Sequence, residues 1–357
     1  MIKIAYVINY IVNNGPSKVV LNIMDNLDRT KFEPSLITLF PENDADIVKK
    51  LRSKGITVLE CSSMSRAKCI LGQDKEFQNI VKNGHFDVLH THGLIPDILC
   101  AWLKLSIKKI TTVHNNMYED YLTSYGNVKG RVFVFLHLMA MKRLDTCVCC
   151  AESVYQVLKP KLKNVSFIRN GIEPVCTQSK LTRKECGIPE TAKVFLYAGA
   201  LNAGKNVVSL VENFVNAHTA DEYLLILGTG EKEAECEAKA DSHVKMFGFQ
   251  SDPLSYMQIS DVYVSASKSE GFSISVLEAL ASGLGLLLSD IPSHREVVAL
   301  GKDVYLGEIF TQQNFAEKLE SMRYKELEKG KIRAFQNNYL SARVMAKQYE
   351  LYYEKGM

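Results

Sequence analysis

The chain predicts an α/β protein made of two Rossmann-like domains, each a doubly wound parallel sheet. Three observations predict it. Strand-like apolar runs alternate with helix-like segments along the whole sequence, the pattern of a parallel sheet covered by helices. The alternation is interrupted at the breaker cluster Asn170-Gly171-Ile172-Glu173-Pro174 and then restarts. At 357 residues and 46% hydrophobic, the chain is long enough to bury two cores.

In the first half, Ile2 to Ile8, Pro34 to Leu39, Ile56 to Leu59, Val88 to His90, Lys109 to His114, Thr146 to Cys150 and Val165 to Ile168 read as strands, with helical stretches between most of them. After the breaker, Val194 to Tyr197, Tyr223 to Leu227, Val244 to Phe247, Val262 to Ser265, Gly285 to Leu288 and Val304 to Leu306 repeat the pattern. The domains are expected at 1–172 and 173–340, with a linker near 170–190. A last helix, roughly Ser341 to Glu354, carries the apolar set Val344, Tyr349, Leu351 and Tyr352.

Composition excludes several classes. No apolar run reaches 18 residues, and the opening MIKIAYVINY reads as a buried strand rather than a secretion signal, so a cytoplasmic protein is expected. Nine cysteines without regular spacing fit reduced thiols, and Cys147, Cys149 and Cys150 sit in a strand-like run that favours core thiols over a metal site. Residues 1–172 hold 23 Lys and Arg against 15 Asp and Glu, a net of +8, whereas the remainder nets −5. Lys104, Lys108, Lys109, Lys129, Arg131, Lys142 and Arg143 flank two apolar segments, Ile98 to Ile107 and Val132 to Met141. Such a basic, amphipathic surface can meet an anionic bilayer, and core helices with solvated ends are the competing reading. Nucleic acid is not an expected partner: there is no arginine-rich tract, zinc-finger spacing or RNP-like aromatic motif.

Two glutamates eight residues apart, Glu270 and Glu278, dominate the chemistry. The apolar run Val262, Val264, Ala266 ends in Ser267-Lys268-Ser269, and Glu270-Gly271-Phe272-Ser273 then opens a helix whose first amides lack intrahelical partners. A helix start of this kind attracts anions, and Glu270 lies in the loop at a strand's carboxyl end, where open α/β sheets bind ligands. Glu278, deeper in a helix apolar nearly all round, needs a partner. Asn13-Asn14-Gly15-Pro16-Ser17-Lys18 and Gly199 to Asn206 also follow strands and open helices. The first is either a phosphate cradle around Gly15 or a plain turn, and in the second Lys205 is the expected cation. Gly228-Thr229-Gly230 follows a strand but lacks the third glycine of a dinucleotide fingerprint, and reads as a nucleotide-side loop. Asp44-Ala45-Asp46 has the D-x-D pattern of a metal site but stands in a turn opening a helix, where capping is favoured.

The run from Glu270 to Gly283 resembles the E-x7-E signature of the retaining glycosyltransferases of family 4, which have the GT-B fold. His90-Thr91-His92-Gly93, Thr112-Val113-His114-Asn115, Asn170-Gly171-Ile172, Gly199 to Asn206, Leu227 to Gly230 and Ser289 to Glu296 follow in that family's order, so the resemblance covers essentially the whole chain. It implies two domains facing across a cleft, with the C-terminal helix crossing back to the first domain. It further implies that Lys205 neutralises the donor diphosphate, that Glu270 and His114 contact the transferred sugar, and that Glu278 meets the nucleotide ribose; Gly15, Gly271 and Phe272 are expected at the diphosphate, and Gly228 and Gly230 on the nucleotide side. His90 and His92 are expected in a structural or acceptor role. The implied donor is a nucleotide-diphosphate sugar, UDP-sugar by expectation, with no metal or other cofactor, and the acceptor a glycan or lipid-linked hydroxyl in capsule, O-antigen or exopolysaccharide synthesis. The chain departs from the family at Ala200, where an arginine usually stands. A GT-B-fold nucleotide-sugar epimerase and a catalytically impaired sugar-nucleotide-binding partner protein are the alternatives.

Overall fold

The computed structural model describes residues 1–12, 14–42, 45–62, 74–175, 181–301 and 303–355. They form two compact units, one made of Met1–Gly171 with Ala342–Met357 and the other of Ile172–Ser341.

Unit one carries seven parallel strands, β1 (Ile2–Ile8), β2 (Phe32–Thr38), β3 (Thr57–Glu60), β4 (Val88–His92), β5 (Lys108–Val113), β6 (Thr146–Cys149) and β7 (Val165–Phe167), in the spatial order β3-β2-β1-β4-β5-β6-β7. The chain moves outward from β1 to β3, then returns beside β1 with β4, so the winding reverses between β1 and β4. The inner strands are near-continuous buried runs, as expected for a parallel sheet covered on both faces. Helix α1 (Gly15–Asn26) follows β1; Asn14 caps it by accepting from the Ser17 amide, and Pro16 lies in its first turn. The strand-connecting helices are α2 (Ala45–Ser53), α3 (Lys75–Gly84), α4 (Leu94–Ala101), α5 (Met117–Met141) and α6 (Glu152–Leu158).

Helix α5 is a hairpin rather than a rod. Gly126 has φ 75° and ψ 172°, a conformation that glycine adopts without penalty, and the two arms fold against each other there. A Cβ on Gly130 would lie 2.5 Å from the Tyr121 carbonyl oxygen, so glycine also permits the close approach of the arms. The apolar segment Val132 to Met141 thus becomes the second arm, with Val132 and Phe135 exposed and Ala140 and Met141 buried.

The C-terminal helix α14 (Ala342–Glu354) belongs to unit one and packs along α1. Tyr349 and Tyr353 are its anchors, each fully enclosed. Burying such side chains contributes roughly 1.5–3 kcal/mol apiece, provided that their hydroxyls find partners. Tyr353 bonds to the Tyr6 hydroxyl at 2.9 Å and to His90 Nδ1 at 2.7 Å, and Tyr349 bonds to Thr112 Oγ1 at 2.7 Å.

Unit two is a six-stranded parallel sheet of β8 (Lys193–Ala198), β9 (Glu222–Leu227), β10 (Val244–Met246), β11 (Val262–Ser265), β12 (Gly285–Ser289) and β13 (Gly307–Phe310), ordered β10-β9-β8-β11-β12-β13. Its winding reverses between β8 and β11. A one-turn 3₁₀ helix at Lys184–Cys186 precedes the sheet, and α7 (Val207–Val215), α8 (Glu233–Lys239), α9 (Pro253–Gln258), α10 (Ile274–Ser282), α11 (Pro292–Leu300), α12 (Phe315–Tyr324) and α13 (Lys329–Tyr339) complete the unit. The expected strand Val304 to Leu306 is a correction: those residues lead into the strand, which runs from Gly307 to Phe310. Register against β12 puts Gly307 where an added Cβ would lie 1.9 Å from the Leu286 carbonyl oxygen, so the strand begins at the residue without one.

Among the described cysteines all are free and buried, Cys147 and Cys149 within β6 and Cys150 just after it. Asp44 lies outside the described residues; Asp46 sits in the first turn of α2, 3.4 Å from Lys49 Nζ. No group of described side chains is arranged to hold a metal ion, and no described helix is long and apolar enough to cross a membrane.

Candidate active site

The winding reversal of unit two brings the ends of β8 and β11 side by side, and the loops leaving those ends carry Lys205 and Glu270. The loops are tied together by the Lys268 amide, which donates to the Gly204 carbonyl at 2.9 Å. Lys205 is held from its own side by Asn202, whose Oδ1 accepts from the Lys205 amide at 2.9 Å, and Asn206 then adopts the left-handed conformation (φ 55°) to start α7. Lys205 Nζ donates to Glu270 Oε1 at 2.5 Å, with the side chains 31% and 12% exposed. Ser267 Oγ donates to the same oxygen at 2.8 Å. Both donors converge on Oε1, which leaves Oε2 as the free face of the carboxylate among the described residues.

A chain of bonds fixes Ser267 in turn. Ser289, at the end of β12, donates its hydroxyl to the Ser267 carbonyl at 2.6 Å. His294 in α11 donates from Nδ1 to the Ser289 carbonyl at 3.0 Å. His294 is almost fully enclosed, and burial lowers its pKa to about 4, so it stays neutral and keeps the Nδ1 proton for that bond. Sequence reasoning did not assign roles to Ser267, Ser289 and His294; only the pairing of β11 with β12 aligns them.

Helix α10 begins at Ile274, with Ser273 as its N-cap residue making no side-chain cap bond and no acid in its first turn. The amides at this end point away from the helix and form a positive, donor-rich terminus. Gly271 and Phe272, buried just before it, complete the approach. Glu278 lies a little over one turn into α10, nearer its start than a count from Glu270 gives, and is 9% exposed. The buried Tyr263 phenol, donating to the Ala198 carbonyl at 3.2 Å, is pushed far above its ordinary pKa by burial and then by the charges of Glu270 and Glu278.

Gly228 and Gly230 sit beside this loop pair. Gly228 has φ 132°, and a Cβ there would be 1.9 Å from the Gly199 carbonyl oxygen; one on Gly230 would be 2.3 Å from that of Leu201. The Gly199 amide bonds the Leu227 carbonyl, and the Leu201 amide that of Thr229. Glycine is required here because two backbones touch.

In unit one the corresponding reversal lies between β1 and β4. Gly15 is the first residue of α1, half-buried, with its helix capped by Asn14. The loop before it is already partly bonded: the Ile11 amide donates to Glu42 Oε1 at 2.6 Å and the Val12 amide to Ser17 Oγ at 3.2 Å. The three histidines at the strand ends have different surroundings. His90, fully buried, bridges Tyr353 and Thr112 and so has the structural role of docking α14. His92 Nδ1 and His114 Nε2 are 2.9 Å apart. Burial lowers the pKa of His114 to about 4, and burial together with the neighbouring imidazoles lowers that of His92 well below the ordinary value. Behind them Asp97, also fully buried, accepts from Thr111 Oγ1 at 3.0 Å, from His137 Nε2 at 2.7 Å and from Thr91 Oγ1, and His137 Nδ1 bonds the Tyr121 hydroxyl at 2.8 Å. This cluster, which no motif announced, clamps both arms of α5 onto α4 and the sheet.

The sequence matches the family described as Glycosyltransferase Family 4 over residues 13–175 and that described as Glycosyl transferases group 1 over residues 178–335. It is 29% identical to the O-antigen biosynthesis glycosyltransferase WclY of Escherichia coli over 310 residues, covering 83% of this chain and 82% of that one. It is 25% identical to the UDP-Gal:alpha-D-GlcNAc-diphosphoundecaprenol alpha-1,3-galactosyltransferase of Escherichia coli over 341 residues, covering 89% and 87%. The fold is similar to that of HepE from Anabaena in complex with UDP and glucose, with a TM-score of 0.80 at 13% identity and 99% of each chain covered. The two family regions follow one another through nearly the whole chain, and the paired six- and seven-stranded sheets match a GT-B neighbour: the protein belongs to the family 4 glycosyltransferases.

Proposed function

We propose that the protein transfers a sugar, with retention of anomeric configuration, from a UDP-sugar to a glycan or lipid-diphosphate-linked hydroxyl in bacterial surface-polysaccharide synthesis. The observation that carries this reading is the Lys205–Glu270 pair at the β8/β11 reversal, beside the start of α10, whose N-cap residue Ser273 makes no side-chain cap bond. Lys205 and the α10 amides would neutralise the donor diphosphate, with Gly271 and Phe272 shaping the approach. Glu270 would accept from sugar hydroxyls through Oε2, Glu278 from the ribose, and His114 would hydrogen-bond the sugar. In the transfer, the bond from the anomeric carbon to the phosphate oxygen breaks and the diphosphate leaves with its electron pair. The acceptor oxygen bonds the same face of that carbon, and its proton passes to a phosphate oxygen of the leaving group. None of these roles requires a metal ion. Relatives named for O-antigen assembly and for a diphosphoundecaprenol acceptor support the acceptor class, and the UDP-bound neighbour supports the donor base.

The turn and second arm of α5 support peripheral contact with an anionic membrane. Tyr125, Val128, Val132 and Phe135 are exposed on one element that also carries Lys129 and Arg131, and Arg143 lies 4.7 Å above the half-exposed Trp102 ring.

The test is transfer from a panel of radiolabelled UDP-sugars to undecaprenyl-diphosphate-linked sugars, with and without chelator. Acceptor-dependent product of retained configuration, lost in Glu270→Ala and Lys205→Ala, is expected. Turnover that survives both substitutions, or free sugar released without acceptor, overturns the reading.

A further inference from the structure

We propose that His92 is a positioning residue that locks His114 in the tautomer protonated on Nδ1, so that His114 presents an N–H donor at the end of β5. The two rings, with centroids 5.1 Å apart, share one hydrogen bond, between His92 Nδ1 and His114 Nε2 at 2.9 Å. Both imidazoles are neutral, so each carries one proton, and one N–H fills that contact. Two assignments are open. If His114 donates from Nε2, His92 must carry its own proton on Nε2. That atom is enclosed and has no hydrogen-bond partner among the described residues, and His92 as a whole is 6% exposed. A buried N–H without an acceptor is among the rarest arrangements in folded proteins, rarer than an unfilled lone pair. If His92 donates from Nδ1 instead, its Nε2 is a bare lone pair and nothing is left orphaned but an acceptor. His114 then receives on Nε2 and must carry its proton on Nδ1.

The surroundings hold His92 in this pose. Its ring lies 4.4 Å from that of His90 and 6.2 Å, stacked, from that of Tyr6, and His90 is itself pinned between Tyr353 and Thr112. His114 is half-buried, and its Nδ1 has no partner among the described residues. On the reading that His114 touches the transferred sugar, it therefore acts as a neutral donor to a sugar oxygen and cannot take the acceptor's proton through that atom. That excludes it as the general base and selects donors with an oxygen, rather than only C–H groups, at the contacted position.

The test uses the full chain with its 8 histidines labelled with ¹⁵N in the imidazole, read by two-bond ¹⁵N–¹H correlation at pH 7. His114 should show a protonated Nδ1 and an imine-type Nε2. In His92→Phe, which keeps a ring but no donor, His114 should move to the Nε2-protonated form or a mixture. His92→Asn, whose side-chain N–H can stand near the place of Nδ1, should restore the wild-type signature. Turnover should follow, falling roughly tenfold in His92→Phe, the worth of one neutral hydrogen bond, and recovering in His92→Asn. An Nε2-protonated His114 in the wild type, or an unchanged tautomer in His92→Phe, overturns the proposal. A lost tautomer with unchanged turnover keeps the lock and instead overturns the sugar contact of His114. Because the spectra need no substrate, the two failures are told apart.

Discussion

Replacing Glu270 by Gln should tighten the binding of UDP while it destroys turnover. Lys205 Nζ donates to Glu270 Oε1 at 2.5 Å, and the pair is only 31% and 12% exposed. A surface ion pair contributes about 0–1 kcal/mol and a hydrogen bond to a charged group about 1.5–3 kcal/mol. For this partly enclosed pair we take about 1–2 kcal/mol, the part of the lysine's electrostatic work already spent on Glu270 before any ligand arrives. Glutamine keeps the shape and the Ser267 bond but removes the charge, so UDP affinity should rise about 5–30-fold by calorimetric titration. The gain must run through the lysine. Lys205→Ala should weaken UDP, and adding Glu270→Gln to it should restore little, giving a coupling of about 1 kcal/mol or more in the double-mutant cycle. Raising the salt should shrink the difference. Unchanged or weaker UDP binding in Glu270→Gln, or an equal gain in the Lys205→Ala background, would refute the assignment of Lys205 as the diphosphate cation.

Three further outcomes follow from the packing. Asp97→Ala strands His137 and two threonine hydroxyls in a buried site and should destabilise unit one by about 3–5 kcal/mol, read as a lowered unfolding midpoint in urea. Gly228→Ala sets a Cβ against the Gly199 carbonyl and should cost about 1–3 kcal/mol of thermal stability while weakening UDP binding. The His218–Asp241 pair, 2.7 Å apart, should make stability pH-dependent. Burial opposes the His218 charge, but the Thr219 carbonyl and Asp241 outweigh it and raise the pKa above the ordinary value. Its contribution is therefore complete below about pH 6.5 and fades as pH rises through the folded value. For Asp241, burial raises the pKa, and the His218 and His243 bonds lower it further than that. Its share holds above about pH 4 and is lost as pH falls through the folded value. Melting temperature against pH should show both limbs, and His218→Asn should flatten the upper one.

The strands were legible wherever an apolar run met its neighbours on both sides. Ile2–Ile8 and Val262–Ser265 have the boundaries that the sequence predicts, because both are central strands whose every residue is inside or nearly so. Val304 to Leu306 misled for the opposite reason: apolar residues cover the approach to β13, and the strand itself starts at a glycine chosen for contact with Leu286. The α5 hairpin was hidden because Val132 to Met141 is apolar enough for a core helix, and only φ at Gly126 shows that the chain turns back. Loops bearing Lys205 and Glu270 could be found from residue types alone, since each follows a strand and opens a helix. That their side chains meet, and that Ser289 and His294 brace them, depends on which strands are neighbours, and strand order is not written in local pattern. The histidines show the same limit: His90, His92 and His114 all mark strand ends, yet one docks a helix through a tyrosine 263 residues later in the chain while the other two face each other.

Thermal unfolding of the purified protein with UDP, GDP, CDP and ADP, with and without magnesium, tests the donor site most directly. UDP at a hundredfold excess over its dissociation constant should stabilise the wild type by roughly 2.7 kcal/mol, equally with and without metal, and Lys205→Ala should lose most of that shift. No stabilisation by any diphosphate, or one that Lys205→Ala leaves intact, would contradict a donor site at the junction of β8 and β11.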